Sequence, residues 1–287
     1  MSAIQYVLRR LHPRAAWLGE ASGRLVYPPH CVVCRRPTEE DEDRYLCRDC
    51  IGTIQFVNGP TCRKCGHELG PHTAAGTRCA NCRNMPLRFD RAVAAAHHIG
   101  AARHMVLALK FAAQKYHAFP LSKLLAARLN DTDLPGKIQL IVPVPLHRSR
   151  LRSRGFDQSE LLAQELGDRL GLPVSTKILR RVVNTPPQTR ATSRAGRRAN
   201  VKGAFRVRRS AGLIRGKSLL LVDDVLTTGA TTSECAGVLK RAGAKRVYVA
   251  TVTRRMTTPP KEGADVGRNC YKVQSPAPPD DEAGVGG

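Results

Sequence analysis

The segment that most constrains the fold is LLLVDDVLTTGAT, which begins at Leu219. The apolar run from Leu219 to Val222 predicts a buried strand, and the acidic pair Asp223 and Asp224 is predicted to close it. A short loop and then a helical pattern follow. In an open α/β sheet, ligands bind beyond the carboxyl ends of the strands. The order strand, acid pair, loop and helix therefore predicts a ligand site at this end of a sheet.

The loop after the acids has the chemistry of a phosphate cradle. It offers hydroxyls, a glycine and backbone N–H groups at a helix N-terminus, which together suit a phosphate. Two carboxylates beside a phosphate need another partner, and vicinal ribose hydroxyls or a magnesium ion are suitable. The stretch therefore indicates a sugar phosphate with free hydroxyls, while the plainer interpretation is an acidic turn before a capped helix. The loop residues are Thr227, Thr228, Gly229, Ala230 and Thr231.

This stretch resembles the phosphoribosyl pyrophosphate (PRPP) signature of type I phosphoribosyltransferases. The resemblance implies that Asp223 and Asp224 are the catalytic acids that contact the ribose 2′- and 3′-hydroxyls, and that residues 227–231 wrap the 5′-phosphate. It also implies an α/β fold of the type I phosphoribosyltransferase kind, with a mainly parallel sheet flanked by helices. Magnesium is the cofactor expected to accompany PRPP.

Eight of the ten cysteines form four CxxC pairs arranged as an internal repeat. Each half of the repeat has the knuckle, spacer and knuckle pattern of a structural zinc site. Four thiolates leave no open coordination position, so we expect two structural zinc ions rather than a catalytic metal. The predicted ligands of the first site are Cys31, Cys34, Cys47 and Cys50, and those of the second are Cys62, Cys65, Cys79 and Cys82.

Other uses of these cysteines fit less well. Disulfides are disfavoured because no export signal accompanies them, and a redox pair needs one CxxC that opens a helix rather than four in a repeat. An iron–sulfur cluster also uses four thiolates, and the spacing leaves it open. His67 and His72 lie inside the second repeat and are predicted to be surface residues, while Cys235 and Cys270 are predicted to be free thiols.

The chain is strongly basic, with 47 lysines and arginines against 23 acidic residues and a net charge of +24. This excess favours anionic partners such as nucleic acid, nucleotides or pyrophosphate, although an arginine-rich proteome would also produce it. An aromatic content of 5% argues against a broad base-stacking platform. Since no stretch approaches the roughly 20 apolar residues that span a bilayer, we expect no transmembrane segment.

The remaining pattern alternates strands with helices, which predicts a mainly parallel sheet. We expect four units: a basic segment over 1–25, the metal module over 26–88, the α/β domain over 89–256 and a disordered tail over 257–287. Strands are predicted over 92–99, 138–144, 205–207, 219–222 and 246–253, and helices over 101–111, 121–129, 156–170 and from the phosphate loop to 241.

Two basic segments are expected to complete the site. VPVPLHRSRLRSRGFDQ begins at the end of a predicted strand, and bidentate arginines suit phosphate oxygens. By the same resemblance, residues 146–150 hold the pyrophosphate, with His147, Arg148 and Arg150 as the contacts. A single arginine here would also suit a solvated loop. The irregular stretch 184–205 is expected to close over the ligand as a flap. Its predicted ligand contacts are Gln188, Arg194, Arg198 and Asn200.

All these motifs together resemble the ComF family, in which a double zinc ribbon precedes a phosphoribosyltransferase domain. The motifs are the four CxxC pairs, Lys110-Phe111, VPVPLHRSRLRSRGFDQ, TPPQ…R…N…GAF and VDDVLTTGAT. The resemblance implies a cytoplasmic protein linked to DNA uptake in natural transformation, with single-stranded DNA and a competence helicase as partners. The family often has asparagine where this chain has Asp157, and a small residue where it has Arg190.

The sequence supports two functions. The first is a PRPP-binding phosphoribosyltransferase whose acceptor the sequence does not identify. The second is a zinc-dependent adaptor that binds single-stranded DNA and keeps the phosphoribosyltransferase scaffold without turnover, because a fold alone does not fix a function.

Overall fold

The computed structural model of this 287-residue chain describes residues 30–38, 45–69, 73, 78–79, 82, 85–184 and 201–256. The helices are α1 (Arg48–Gly52), α2 (Gly100–Phe111), α3 (Ala118–Asn130), α4 (Arg148–Arg154), α5 (Gln158–Leu170) and α6 (Ala230–Arg241), with short 3-10 turns at Lys115–His117, Pro135–Lys137 and Arg209–Ile214. The strands are β1 (Arg91–His97), β2 (Leu140–Pro143), β3 (Leu179–Arg181), β4 (Phe205–Val207), β5 (Ser218–Leu226) and β6 (Arg246–Arg254).

Four strands form one parallel sheet in the order β1-β6-β5-β2. The sheet is buried on both faces, as its continuous apolar strands predict. Leu220 and Val222 of β5 join the core that α2, α3 and α5 cover, whereas Leu219 and Leu221 join the core beside α6 and β4. The mainly parallel sheet flanked by helices is therefore confirmed.

Strand β5 is longer than the sequence predicts. It continues through Asp223 and Asp224 to Leu226, so the prediction that the two acids close the strand is wrong. The reason is that β6 is equally long and keeps pairing with it, from Ser218 opposite Arg246 to Leu226 opposite Arg254. The acids consequently lie inside a paired strand.

A second, antiparallel ribbon is formed by β3 and β4. The predicted strand over 205–207 is confirmed as β4. Its partner Leu179–Arg181 was missed, because a three-residue segment with two arginines has no readable alternation. The ribbon packs on the α6 side of the sheet through Phe205, which is fully buried.

The cysteine-rich module covers the β1 edge of the parallel sheet. The backbone N–H of Val57 donates to the carbonyl of Ala95 at 3.0 Å, and that of Ala92 donates to the carbonyl of Lys64 at 3.0 Å. At Gly66 (φ +67°), a Cβ would lie 2.6 Å from the Ala92 carbonyl oxygen, so the close approach requires glycine. An edge strand covered in this way exposes fewer unpaired backbone groups.

None of the helices in the described ranges combines the length and the apolarity that a bilayer-spanning helix needs.

Candidate functional site

The carboxyl ends of β2 and β5 meet at one edge of the sheet. The two strands are parallel neighbours, and the backbone N–H of Val144 donates to the carbonyl of Val222 at 2.9 Å. The segment that leaves β2 therefore passes beside Asp223. The acid pair and residues 146–150, which are far apart in sequence, become parts of one site.

Asp223 is held from two sides. Its Oδ1 accepts from the Ser159 hydroxyl at 3.0 Å and from the backbone N–H of Asp224 at 2.9 Å. Burial, followed by the neighbouring Asp224 charge, raises the pKa of Asp223 to about 7. Ser159 was not predicted as a site residue, because nothing in the sequence shows that the first turn of α5 reaches β5.

Asp224 is more deeply buried than Asp223, with 4% of its surface exposed. Its Oδ1 lies 2.9 Å from the ammonium of Lys110, in the last turn of α2. Its Oδ2 is buried and has no hydrogen-bond partner within the described part of the chain. A buried carboxylate oxygen of this kind suits a hydroxyl donor or a cation. Lys110 was named only as part of a motif and was missed as a site residue.

The predicted phosphate loop lies between β5 and α6. Gly229 adopts φ +76° and caps α6, Ala230 is the first residue of the helix, and Thr231 lies in its first turn. The backbone N–H of Ala230 points towards Thr228 Oγ1 at 3.4 Å, and Thr227 and Thr228 are half-buried. The backbone N–H groups of this turn and the helix dipole make the loop suited to an anion.

The predicted pyrophosphate segment is partly helical. His147 caps α4, and its Nδ1 accepts from the backbone N–H of Ser149 at 3.2 Å. Arg148 and Arg150 lie in the first turn, exposed and half-buried respectively. The sequence did not predict this helix, because the segment has no apolar period, although arginine and leucine have good helix propensity.

Asp157 fixes the geometry of this segment. Its Oδ2 accepts from the backbone N–H of Leu146 at 2.8 Å, and its Oδ1 caps α5 by accepting from Ser159 N at 3.0 Å. Burial raises the pKa of Asp157, and these backbone donors oppose the shift. Asp157, which departs from the family pattern, therefore still caps α5. The helix begins at Gln158 rather than at the predicted Phe156.

Arg154, the last residue of α4, is a further cation near the acid pair. Its guanidinium lies 5.5 Å from the centroid of the Phe111 ring. Burial lowers the pKa of Arg154, while the charges of Asp224 and Asp157 act in the opposite direction. This long, half-buried cation lies within electrostatic range of Asp224 and Asp157 and is a further candidate for the site. The sequence did not distinguish it from the other arginines of α4.

The predicted flap contacts lie outside the described residues. This holds for Gln188, Arg194, Arg198 and Asn200, whose roles stay predictions.

The eight paired cysteines form two four-thiol clusters, with the sulfurs of each within 4.8 Å of one another. The Sγ atoms of Cys34 and Cys47 are 3.6 Å apart, as are those of Cys65 and Cys79. A zinc ion with Zn–S bonds of about 2.3 Å needs tetrahedral edges of about 3.8 Å. All eight are free thiols rather than disulfides. Both clusters therefore fit zinc.

The second cluster is tied to the sheet that carries the acid pair. Arg254, at the end of β6, is 4% exposed and donates to the carbonyl oxygen of Cys65 and, at 3.6 Å, to its Sγ. The preceding Thr253 donates from its hydroxyl to the Asp224 carbonyl at 3.4 Å. A positive charge beside a thiolate site offsets its negative charge, and Arg254 supplies one here.

Comparison with known proteins matches both halves of the chain. A double zinc ribbon domain matches residues 23–83, and a phosphoribosyl transferase domain matches residues 117–283. Competence protein F of Haemophilus influenzae is 32% identical over 76% of this chain and 94% of its own length. The chain belongs to the ComF family. Among its relatives, DNA utilization protein YhgH of Escherichia coli K12 is 31% identical (83% of this chain, 95% of that protein). Competence protein ComFC of Streptococcus pneumoniae is 27% identical (75% and 90%).

Family membership confirms the double zinc ribbon and the type I phosphoribosyltransferase fold of this ComF protein. The residue assignments within the site, the unit boundaries and the magnesium ion stay predictions.

We expect the purified protein to contain two equivalents of zinc and no iron, since the matching family domain is a double zinc ribbon and each four-thiol cluster has the size of a zinc site. Elemental analysis and the visible absorption spectrum measure this. Removing zinc with a chelator should lower the melting temperature, because a small ribbon depends on its metal for folding energy, and re-adding zinc should restore it. Visible charge-transfer bands from iron would contradict the assignment.

We expect Asp223→Asn to stabilise the ligand-free protein increasingly as the pH rises. The pKa of Asp223 rises from 3.8 to about 7 on folding, so the folded state binds the proton more tightly and stability is lost as the pH rises through this window. The gain in melting temperature over the parent should grow between about pH 4 and about pH 7 and then level off. Asp168→Asn, on the exposed face of α5, is the control. A pH-independent difference would contradict the shift.

Proposed function

We propose that this ComF protein binds PRPP together with magnesium at the acid pair and acts as a phosphoribosyltransferase. The observation that carries the proposal is the meeting of three elements at one sheet edge: the acids of β5, the Thr227–Thr231 loop and the segment after β2. Each element has the chemistry that one part of PRPP requires.

Different residues are proposed to bind different parts of PRPP. Asp223 and Asp224 accept the ribose hydroxyls, and the N–H groups and hydroxyls of residues 227–231 bind the 5′-phosphate. His147, Arg148 and Arg150 face the pyrophosphate, with Arg198 expected from the flap. The buried Oδ2 of Asp224, which has no hydrogen-bond partner among the described residues, supports a hydroxyl donor or a cation at this point. Magnesium, when bound, would neutralise pyrophosphate oxygens.

The chemistry this arrangement favours is the loss of pyrophosphate from the sugar. As the bond to pyrophosphate breaks, positive charge develops at the anomeric carbon and negative charge on the leaving oxygens. Arginines near the pyrophosphate stabilise the negative charge, and the acid pair lies on the ribose side. Electrostatic stabilisation of this kind is a large catalytic term when the groups are held in place beforehand. Here Asp157 anchors the backbone of the basic segment at Leu146, and the Ser159 hydroxyl holds Asp223.

The setting of the reaction is proposed from the relatives. Their names refer to competence and to DNA utilization. We therefore place the activity in DNA uptake by a cytoplasmic protein, or in the nucleotide metabolism that is linked to such uptake.

Calorimetric titration with PRPP, with and without magnesium, tests this function. The zinc-loaded protein should bind PRPP in a magnesium-dependent manner. Asp223→Asn/Asp224→Asn should lower the affinity at least about 100-fold, because each lost charged hydrogen bond costs about 1.5–3 kcal/mol. Asp131→Asn/Asp168→Asn removes the same charge from exposed positions and should bind like the parent. Unchanged binding by the acid-pair variant, or none by the zinc-loaded parent, would refute the proposal.

A second candidate function is binding of single-stranded DNA, which the surface around α2 and α4 favours. Phe111 and Tyr116 are 48% and 42% exposed. The Arg154 guanidinium lies 5.5 Å from the Phe111 ring centroid and that of Arg35 lies 5.6 Å from the Tyr116 ring centroid. Exposed rings beside cations are what sequence-tolerant stacking of bases requires. Two rings make a narrow platform, as the low aromatic content predicts.

Fluorescence anisotropy with a labelled oligothymidine tests this second function. Affinity should fall steeply with salt if phosphates contribute. Phe111→Ala and Tyr116→Ala should each weaken binding by about 1–3 kcal/mol, the cost of one lost stacked base. Leu213→Ala removes a 55% exposed apolar side chain elsewhere and serves as the control. Binding that neither aromatic variant changes would exclude this surface. Competition by PRPP would show that the DNA also reaches residues 223–231.

A further inference from the structure

A buried ion pair occupies one half of the acid pair in the ligand-free protein. The ammonium of Lys110 lies 2.9 Å from Oδ1 of Asp224, and the two side chains are 21% and 5% exposed. The other oxygen, Oδ2, has no hydrogen-bond partner among the described residues and can accept a hydroxyl directly. A ligand that engages both oxygens of Asp224 must also reach Oδ1, which Lys110 now covers, and therefore requires the lysine to move.

We propose that Lys110 is a displaceable counter-ion that makes the site select pyrophosphorylated ribose over plain ribose phosphate. In the free protein it neutralises Asp224; when a ribose hydroxyl takes over Oδ1 of Asp224, the ammonium turns to the pyrophosphate. The inference rests on the proposed PRPP function and adds to it a specificity-determining residue.

The position of Lys110 gives the displaced ammonium a short path. The residue lies in the last turn of α2, and the ring of the next residue, Phe111, packs under the guanidinium of Arg154 from α4. Helix α4 begins at Arg148, inside the predicted pyrophosphate segment. A lysine has a flexible four-carbon stem with a compact charge at its end. Released from Asp224, the charge is carried by a helix turn that contacts α4 through Phe111.

The energetics supply the selectivity. A buried ammonium that loses its carboxylate is costly unless another anion replaces it. PRPP brings a replacement, because its pyrophosphate lies on the α4 side. Ribose 5-phosphate offers hydroxyls and a 5′-phosphate but no anion at that place, so it displaces Lys110 without compensation. The ion pair consequently penalises ribose phosphates that lack the pyrophosphate.

The test compares two ligands on one set of variants. Dissociation constants for PRPP and for ribose 5-phosphate, both with magnesium, are measured by calorimetry on the zinc-loaded full chain. Lys110→Met should weaken the binding of PRPP about 10- to 100-fold, which is the equivalent of one lost charged hydrogen bond. Ribose 5-phosphate should bind Lys110→Met as well as the parent, or more tightly. Lys110→Arg should keep most of the preference for PRPP.

Two controls separate this role from a general one. Lys115→Met removes an equal charge from the adjacent 3-10 turn, where the ammonium lies over the Phe156 ring, and should leave the preference unchanged. If Lys110→Met fails to fold because Asp224 is left buried and unpaired, Lys110→Met/Asp224→Asn removes both charges. Its preference for PRPP should then fall below that of Asp224→Asn alone.

The outcomes are distinguishable. An equal loss of affinity for both ligands would mean that Lys110 only keeps Asp224 in place, and an unchanged affinity for PRPP would mean that it makes no contact with the ligand. Either result overturns the inference and leaves the proposed function standing. A zinc-loaded parent that binds no PRPP would overturn both.

Discussion

The parallel pairing of β5 between β2 and β6 is the constraint on which the site depends. Since the strands run in the same direction, their carboxyl ends meet at one edge of the sheet. The same pairing buries the acid pair, because β6 follows β5 as far as Leu226. Burying two adjacent carboxylates in a paired strand is unfavourable unless nearby groups donate hydrogen bonds or positive charge to them.

The compensation comes from three elements that otherwise serve packing. Helix α2 brings Lys110 to Asp224, α5 brings the Ser159 hydroxyl to Asp223, and β6 brings Thr253 to the backbone of the pair. Even so, the pKa of Asp223 rises to about 7. A buried carboxylate whose pKa is raised makes the folded state less favourable at neutral pH, and a ligand that donates hydrogen bonds to it would offset this cost.

The double zinc ribbon of this ComF protein is built into the same scaffold. It covers the β1 edge through backbone hydrogen bonds, and Arg254 joins the Cys65 thiol to the end of β6. His97 of β1 also contacts the Glu68 carboxylate at 2.8 Å. Loss of the metal would therefore weaken contacts of the sheet and, through β6, loosen the surroundings of the acid pair. The zinc ribbon thus supports the phosphoribosyltransferase-fold domain.

The sequence by itself determined the members of both thiol clusters, most of the strands and helices, and the place of the acid pair before a loop and a helix. These are local signals, since cysteine spacing, long apolar runs and a strand–acid–loop–helix order are read within a few tens of residues. It did not reveal α4, which has charge but no apolar period, nor β3, which is too short to show one. Only the tertiary structure decided that Lys110, Arg154 and Ser159 surround the acids. Each reaches the site from a separate helix, and contacts between distant helices and strands leave no mark in local sequence.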